Sequence, residues 1–242
     1  MDWFSEWFDS SYYHILYKNR DLKEAELFID NLTDYLNLPK GTHIADIPCG
    51  KGRHCIYLNK KGFVVSGADL SPESIRYART FSNPTLDFFI HDMRDFFAEE
   101  KYDAVLNVFT SFGYFDDQKD NQRCVESFSK ALKSGGTLVM DFINFKKILL
   151  NFRQEESKLI DGINFHIEKQ LEKGRLVKNI RFSDKGKDYH FQEKVSILYK
   201  EDFLNYFAFA NLEIKDIFGD YQLNSFDPEK SDRLILVATK IK

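Results

Sequence analysis

The stretch Ala45 to Arg53, ADIPCGKGR, carries the residues best spaced for chemistry in this 242-residue chain. Gly50 and Gly52 sit where an extended apolar segment turns into a helical pattern. Glycines at such a turn let backbone amides approach a ligand closely. A triphosphate loop needs GxxxxGK followed by Ser or Thr, and that spacing is absent. A dinucleotide loop needs glycines at offsets zero, two and five. Gly50 and Gly52 meet the first two, but Cys55 stands at the third. Asp46, at the end of the preceding strand, suits an ammonium group better than a pyrophosphate. Asp69 stands about 20 residues beyond the loop, a spacing that lets an acidic side chain accept both hydroxyls of a ribose. Cys49 reads as a small packing residue.

These residues need a scaffold that brings strand ends together, and the rest of the chain predicts one. Leu22, Ala25, Phe28 and Leu32 recur at helical spacing before Pro39-Lys40-Gly41 ends the pattern. Short apolar strands then alternate with helices. Ser71 is placed as an N-cap with Pro72 at the first helical position, and Glu73 suits the positive end of that helix. Five strands read this way, ending with TLVMDFIN, imply a buried parallel sheet with helices on both faces. From about Lys158 to Tyr199 apolar and polar residues alternate, with turn signals at EKG and DKGKD. This predicts a three-stranded antiparallel meander. A helix and two closing strands follow. The expected fold class is α/β: a doubly wound, mostly parallel, seven-stranded Rossmann-like sheet. A small antiparallel β insertion at about 155–200 lies over the carboxyl ends of the strands, where such sheets bind ligands. The expected organisation is a helical cap at 1–40 and a ligand-binding domain at 41–242.

Composition excludes several classes. A net charge of −4 gives no broad grip on nucleic acid or anionic membrane. No apolar run approaches the ~20 residues of a membrane span. The acidic, aromatic start, MDWFSEWFDS, does not read as a signal peptide. Three cysteines without CxxC spacing predict neither a disulfide framework nor a zinc site, and fit a reducing cytoplasm.

The loop from Asp46 to Gly52 resembles the acidic-x-Gly-x-Gly-x-Gly loop of class I S-adenosylmethionine-dependent methyltransferases, with Pro48 in place of the first glycine. The resemblance runs from about His43 to Asn144 and includes the closing helix and strands. It implies S-adenosylmethionine as cofactor, held by Pro48, Cys49, Gly50 and Gly52 of the loop. Asp69 and Leu70 would serve ribose and adenine, and Asp92 and the Met93 backbone would serve the adenine edge. Asn107, Val108 and Phe109 would lie beside the methionine moiety. HDMRDF and DAVLNVFTSFGYF are similar to stretches of bacterial small-molecule methyltransferases that include sugar amine N,N-dimethyltransferases. In related enzymes an aromatic N-terminal segment closes over the cofactor. Here SSYYHILYKNR offers Tyr17 and Arg20, the latter as partner for the cofactor carboxylate.

The resemblance implies methyl transfer to a small-molecule acceptor, nitrogen slightly favoured over oxygen; a monomer or homodimer is expected. Tyr13, His14, Tyr114 and His166 are the candidate acceptor-side residues. His14, His166 or His190 would take a proton, since histidine titrates near neutral pH. No catalytic base is assigned and no metal is expected. An NAD-dependent oxidoreductase, or a methyltransferase-like binding protein without turnover, stays open at this point.

Overall fold

The computed structural model describes residues 3–18 and 22–241. In chain order the helices and strands are α1 (Trp3–Phe8), α2 (Ser11–Leu16), α3 (Leu22–Tyr35), β1 (His43–Asp46), α4 (Arg53–Lys60), β2 (Val64–Asp69), α5 (Pro72–Ala78), β3 (Leu86–Ile90), β4 (Tyr102–Asn107), α6 (Gln118–Ala131), β5 (Leu132–Ile143), α7 (Phe145–Leu150), β6 (Glu155–Ile160), β7 (Ile163–Glu172), β8 (Arg175–Asp184), β9 (Lys187–Ser196), α8 (Lys200–Phe209), β10 (Leu212–Phe218) and β11 (Arg233–Lys240).

Seven strands form one sheet in the order β10-β11-β5-β4-β1-β2-β3. β3, β2, β1, β4 and β5 run parallel, and β11 is antiparallel to both of its neighbours. Strand order reverses between β1 and β4, so a crevice opens at their carboxyl ends. The sheet buries both faces because its residues alternate between two cores. Val105, Leu138 and Met140 pack with Phe128 of α6 and Phe203 and Phe207 of α8. Ala104, Leu106 and Val139 pack on the other side with Phe28, Ile29 and Leu32 of α3 and Leu58 of α4. The capping read from the sequence is present at α5: Ser71 Oγ accepts from Ser74 N at 3.0 Å.

The second sheet, β6-β7-β8-β9, is antiparallel and has four strands rather than the three expected. The additional strand, β6, is an edge strand with no fully buried residue. With no face to bury, it lacks the alternation that reveals a strand in sequence. The buried face of this sheet, with Ile163, Phe165, Ile167, Ile180 and Phe182, packs against Trp7 and Leu16 of α1 and α2.

Candidate active site

The carboxyl ends of β1 to β4 and helices α1 and α2 surround one cavity of about 460 Å³, within the size range of cofactor pockets. The loop after β1 forms part of its wall. It hangs from both neighbouring strands: Ile47 N donates to Leu106 O at 2.9 Å and Cys49 N to Ala68 O at 2.8 Å. The Ile47–Pro48 peptide is cis. Pro48, Cys49 and Gly50 line the cavity. Gly52 does not. It has a left-handed φ of +80°, and a Cβ there would stand 2.7 Å from Phe88 Cε1. Its missing side chain therefore lets α4 start against β3, and that fixes the loop from behind.

At the end of β2, Asp69 is oriented by main chain. Its Oδ2 accepts from Gly50 N at 2.8 Å and its Oδ1 from Ser71 N at 2.9 Å. Burial pushes its carboxyl above the usual range, against the lowering effect of those amides. Asp69 and Leu70 line the cavity. Beyond β3, Asp92 and Met93 line it too. Asp92 accepts from Arg94 Nε at 3.0 Å and Nη2 at 2.6 Å. Burial raises the Asp92 carboxyl, and the Arg94 guanidinium overcomes this and holds it below its ordinary value. Arg94 also reaches Asp120 at 3.2 Å and lies over the Phe115 ring.

At the end of β4 the backbone turns sharply. Phe109 and Thr110 both have left-handed φ, +61° and +60°, a conformation that costs a non-glycine residue on the order of 1 kcal/mol or more. Buried Asp141 holds them there. Its Oδ2 accepts from Phe109 N at 2.7 Å, and its backbone oxygen from Thr110 N at 3.0 Å. Arg233 Nε donates to Asp141 Oδ1 at 2.7 Å, and Arg233 Nη2 to Thr110 Oγ1 at 2.9 Å. Tyr221 OH adds a bond to Asp141 at 3.2 Å. Val108 and Phe109 thereby face the cavity. Asn107 does not: it is buried, and its Nδ2 donates to Ile47 O at 2.7 Å.

Asp46 is also absent from the wall. The first turn of α4 covers it: Oδ2 lies 3.4 Å from Cys55 Sγ and 3.6 Å from His54 Nδ1. Its Oδ1 has no hydrogen-bond partner among the described residues. His54 touches both Asp46 and the cavity, and its ring stacks on Phe109 at 4.9 Å.

The opposite wall comes from α1 and α2, with Phe8, Tyr13, His14, Tyr17 and Lys18. These helices are held by a buried carboxylate on β9. Glu193 accepts from Trp7 Nε1 at 2.8 Å, Tyr17 OH at 2.7 Å and Lys178 Nζ at 2.9 Å. Burial raises the Glu193 carboxyl, but Lys178 and the other donors outweigh it and set it below the ordinary value. His14 is pushed down to about 4 by burial and by Lys51. Its Nε2 has no hydrogen-bond partner among the described residues.

A family model described as a methyltransferase domain matches residues 44–136. Residues 44–136, less than half of the chain, are thus similar to methyltransferase domains. The chain is 31% identical over 103 residues to the dTDP-3-amino-3,4,6-trideoxy-alpha-D-glucopyranose N,N-dimethyltransferase of Streptomyces venezuelae, covering 43% of each chain. It spans less than half the length of the first curated relatives that it matches. An S-adenosylmethionine-dependent methyltransferase from Clostridium acetobutylicum shares the fold at a TM-score of 0.80 and 20% identity, over 96% of each chain. An S-adenosylmethionine-bound amino pentose methyltransferase from Micromonospora echinaspora shares it at 0.74 and 20%, over 96% of this chain and 97% of that one.

Against this family pattern, the structure gathers Tyr17, Pro48, Cys49, Gly50, Asp69, Leu70, Asp92, Met93, Val108 and Phe109 on one cavity, together with Tyr13, His14 and Tyr114. Asp46, Gly52 and Asn107 stand behind the wall, and Arg20 lies outside the described residues. His166 is a correction. Strand alternation turns it to the exposed face of β7, where it contacts Ser157 and Asn164 and aligns with Arg181 of β8. His190 shares that face, away from the cavity. The antiparallel sheet lends no side chain to the cavity and acts through α1 and α2. Sequence reasoning missed His54, which opens a helix as an ordinary polar residue would, and the Asp141–Arg233 pair, whose partners are far apart in the chain. The chemistry around the cavity fits S-adenosylmethionine, the cofactor that the sequence resemblance implies. The Asp69 carboxylate suits a diol, and apolar Leu70, Met93 and Val108 suit a base. Among the described residues no three His, Cys, Asp or Glu gather as a metal site, and no helix is long and apolar enough to cross a membrane.

Proposed function

We propose that this protein transfers a methyl group from S-adenosylmethionine to the nitrogen of a small amine. The observation that carries the reading is the two-sided cavity, with Asp69 and Asp92 on the strand-end wall and an unpartnered His14 imidazole on the other. When bound, the cofactor supplies a methyl group on a sulfonium that leaves as a neutral thioether. Asp69 and Asp92 orient the nucleoside. Phe8, Tyr13 and Tyr114 narrow the space between the walls, exclude water and offer aromatic faces to positive charge. Holding an acceptor in line at near-attack distance is worth up to ~7–11 kcal/mol. At about 4, the His14 pKa leaves its ring neutral near pH 7. In that state the His14 ring would accept a hydrogen bond from the amine N–H and orient the nitrogen lone pair. The Streptomyces relative is by name an N,N-dimethyltransferase of an amino sugar, which supports nitrogen as the acceptor atom. In this reading residues 1–40 include the cap and residues 41–242 the methyltransferase domain. The enzyme works in the cytoplasm as a monomer or homodimer.

Isothermal titration with S-adenosylhomocysteine tests the cofactor, and product mass with matched amino and hydroxyl acceptors tests the atom. The native chain is expected to bind the cofactor product and to methylate amines faster than alcohols. Absence of binding, or preference for the alcohol, overturns the reading.

A further inference from the structure

We infer that the outward face of the antiparallel sheet carries a second binding site, for a phosphate group, centred on Arg181. It shares no lining residue with the cavity of the candidate active site and stands apart from the methyltransferase reading. Three observations carry it. First, strand register gathers the donors. His166 of β7 stands opposite Arg181 of β8, and Arg181 opposite His190 of β9. All three are exposed, because their neighbours Ile167, Ile180 and Phe182 turn to the face that packs on α1 and α2. Directly opposed side chains of antiparallel strands start about 5 Å apart at Cβ. The row therefore faces one open hollow of about 560 Å³, with Asn164, Ser183 and Asp188 also at its wall. Second, this row is left over when its neighbours have paired. Gln192 Nε2 donates to Asn179 Oδ1 at 2.9 Å, and Ser183 Oγ to Asp188 Oδ1 at 2.6 Å. The His190 ring makes no hydrogen bond among the described residues. Arg181 meets Glu168 Oε2 only at 3.6 Å, beyond hydrogen-bond range, and 62% of its side chain is exposed. Third, charge in the hollow favours an anion. Among the described residues Asp188 is the one carboxylate lining it, and Ser183 already holds that group.

The Arg181 guanidinium keeps its charge at any working pH and presents a planar fork that matches two phosphate oxygens. His190 supplies an N–H to a third. The Asn164 amide nitrogen carries two hydrogens. One meets His166 Nε2 at 3.2 Å, and the other is left for the ligand. Ser157 Oγ lies 3.1 Å from His166 Nδ1 and fixes that ring, so His166 positions Asn164. Donors on three strands reach oxygens in several directions. That arrangement suits a tetrahedral phosphate better than a planar carboxylate. The ligand is free phosphate or a small phosphorylated molecule.

Amide and imidazole NMR spectra of the full chain test this during titration with inorganic phosphate, phenyl phosphate and acetate at constant ionic strength. Inorganic phosphate is expected to shift the resonances of Asn164, Arg181 and His190 saturably, with a millimolar Kd. Arg181→Gln weakens that binding by about tenfold or more, the value of a charge-assisted hydrogen bond, and His190→Gln by about threefold. Glu168→Gln removes the competing carboxylate and tightens binding by about twofold. His190→Gln carries the test if Arg181→Gln does not fold. Phenyl phosphate binding as tightly as inorganic phosphate assigns the site to phosphorylated molecules, and weaker binding assigns it to the free ion. Shifts that stay linear through the tens-of-millimolar range overturn the inference. So does acetate binding as tightly as phosphate, or an affinity that Arg181→Gln leaves unmoved.

Discussion

The two walls of the cavity are built on different principles. On the strand-end wall, main chain orients the side chains. Backbone amides hold Asp69, carbonyls of β2 and β4 hold the glycine loop, and Asp141 grips the amides of Phe109 and Thr110. On the cap wall, side chains orient side chains across long separations. Trp7 and Tyr17 reach Glu193, and Tyr12 reaches Asp184 at 2.8 Å. A wall set by a parallel sheet repeats the same geometry at every encounter, which suits an invariant cofactor. Helices α1 and α2 have six residues each, too short to be stable alone. Their shape is borrowed from the sheet beneath, so substitutions there are expected to act first on the proposed acceptor side.

Substitutions that separate the two walls test this contrast. The largest effect is expected from Asp69→Ala, which removes the carboxylate proposed to accept the ribose hydroxyls. S-adenosylhomocysteine affinity falls by about a hundredfold, read by calorimetry, while the acceptor KM measured at saturating cofactor hardly moves. A loss below tenfold would show that the strand-end wall is not organised around Asp69.

Next is Glu193→Leu, which strips the common acceptor from Trp7, Tyr17 and Lys178. Breaking a fully buried pair costs about 3–5 kcal/mol. Lys178 is partly exposed and can rehydrate, so about 2–3 kcal/mol is expected from urea unfolding. Hydrogen exchange in 3–18 should rise, and the acceptor KM should rise more than the cofactor Kd. Equal changes in both would erase the distinction between the walls.

Asp141→Asn is expected to cost about 2 kcal/mol, because it removes the negative charge that Arg233 Nε meets and weakens the grip on two left-handed residues. Cofactor affinity should fall several-fold with the acceptor KM unaffected, the reverse of Glu193→Leu.

The smallest effect concerns His14. It binds its proton at about 4 in the folded chain, against an ordinary value of 6.5. Between those values the unfolded chain holds more protons, so the contribution is fully present above pH 6.5 and is lost as pH falls toward 4. Urea midpoints at pH 7.5 and 5 should drop further for the native chain than for His14→Gln. Parallel drops would mean that His14 is hydrated and does not face the cavity.

Sequence alone determined the parallel sheet, the order of its helices, the glycine turn and Asp69 at the second strand end. Those follow from local periodicity, from capping and turn residues, and from a spacing set by one strand–helix–strand unit, all properties of neighbours in the chain. It also supplied the family pattern that united them. Tertiary structure decided the rest. The strand β6 was silent because an edge strand has no buried face to pattern. His166 was placed on the acceptor side by its position in an insertion, and the pleat of β7 turned it outward. Asp46 was read as facing the crevice until the first turn of α4 closed over it and put His54 in its place. Asp141 with Arg233, and Glu193 with Trp7 and Tyr17, lie 92 or more residues apart. A charged residue in one strand carries no local sign of the partner that will meet it once the sheet has formed, and burial of that pair exists only in the folded chain.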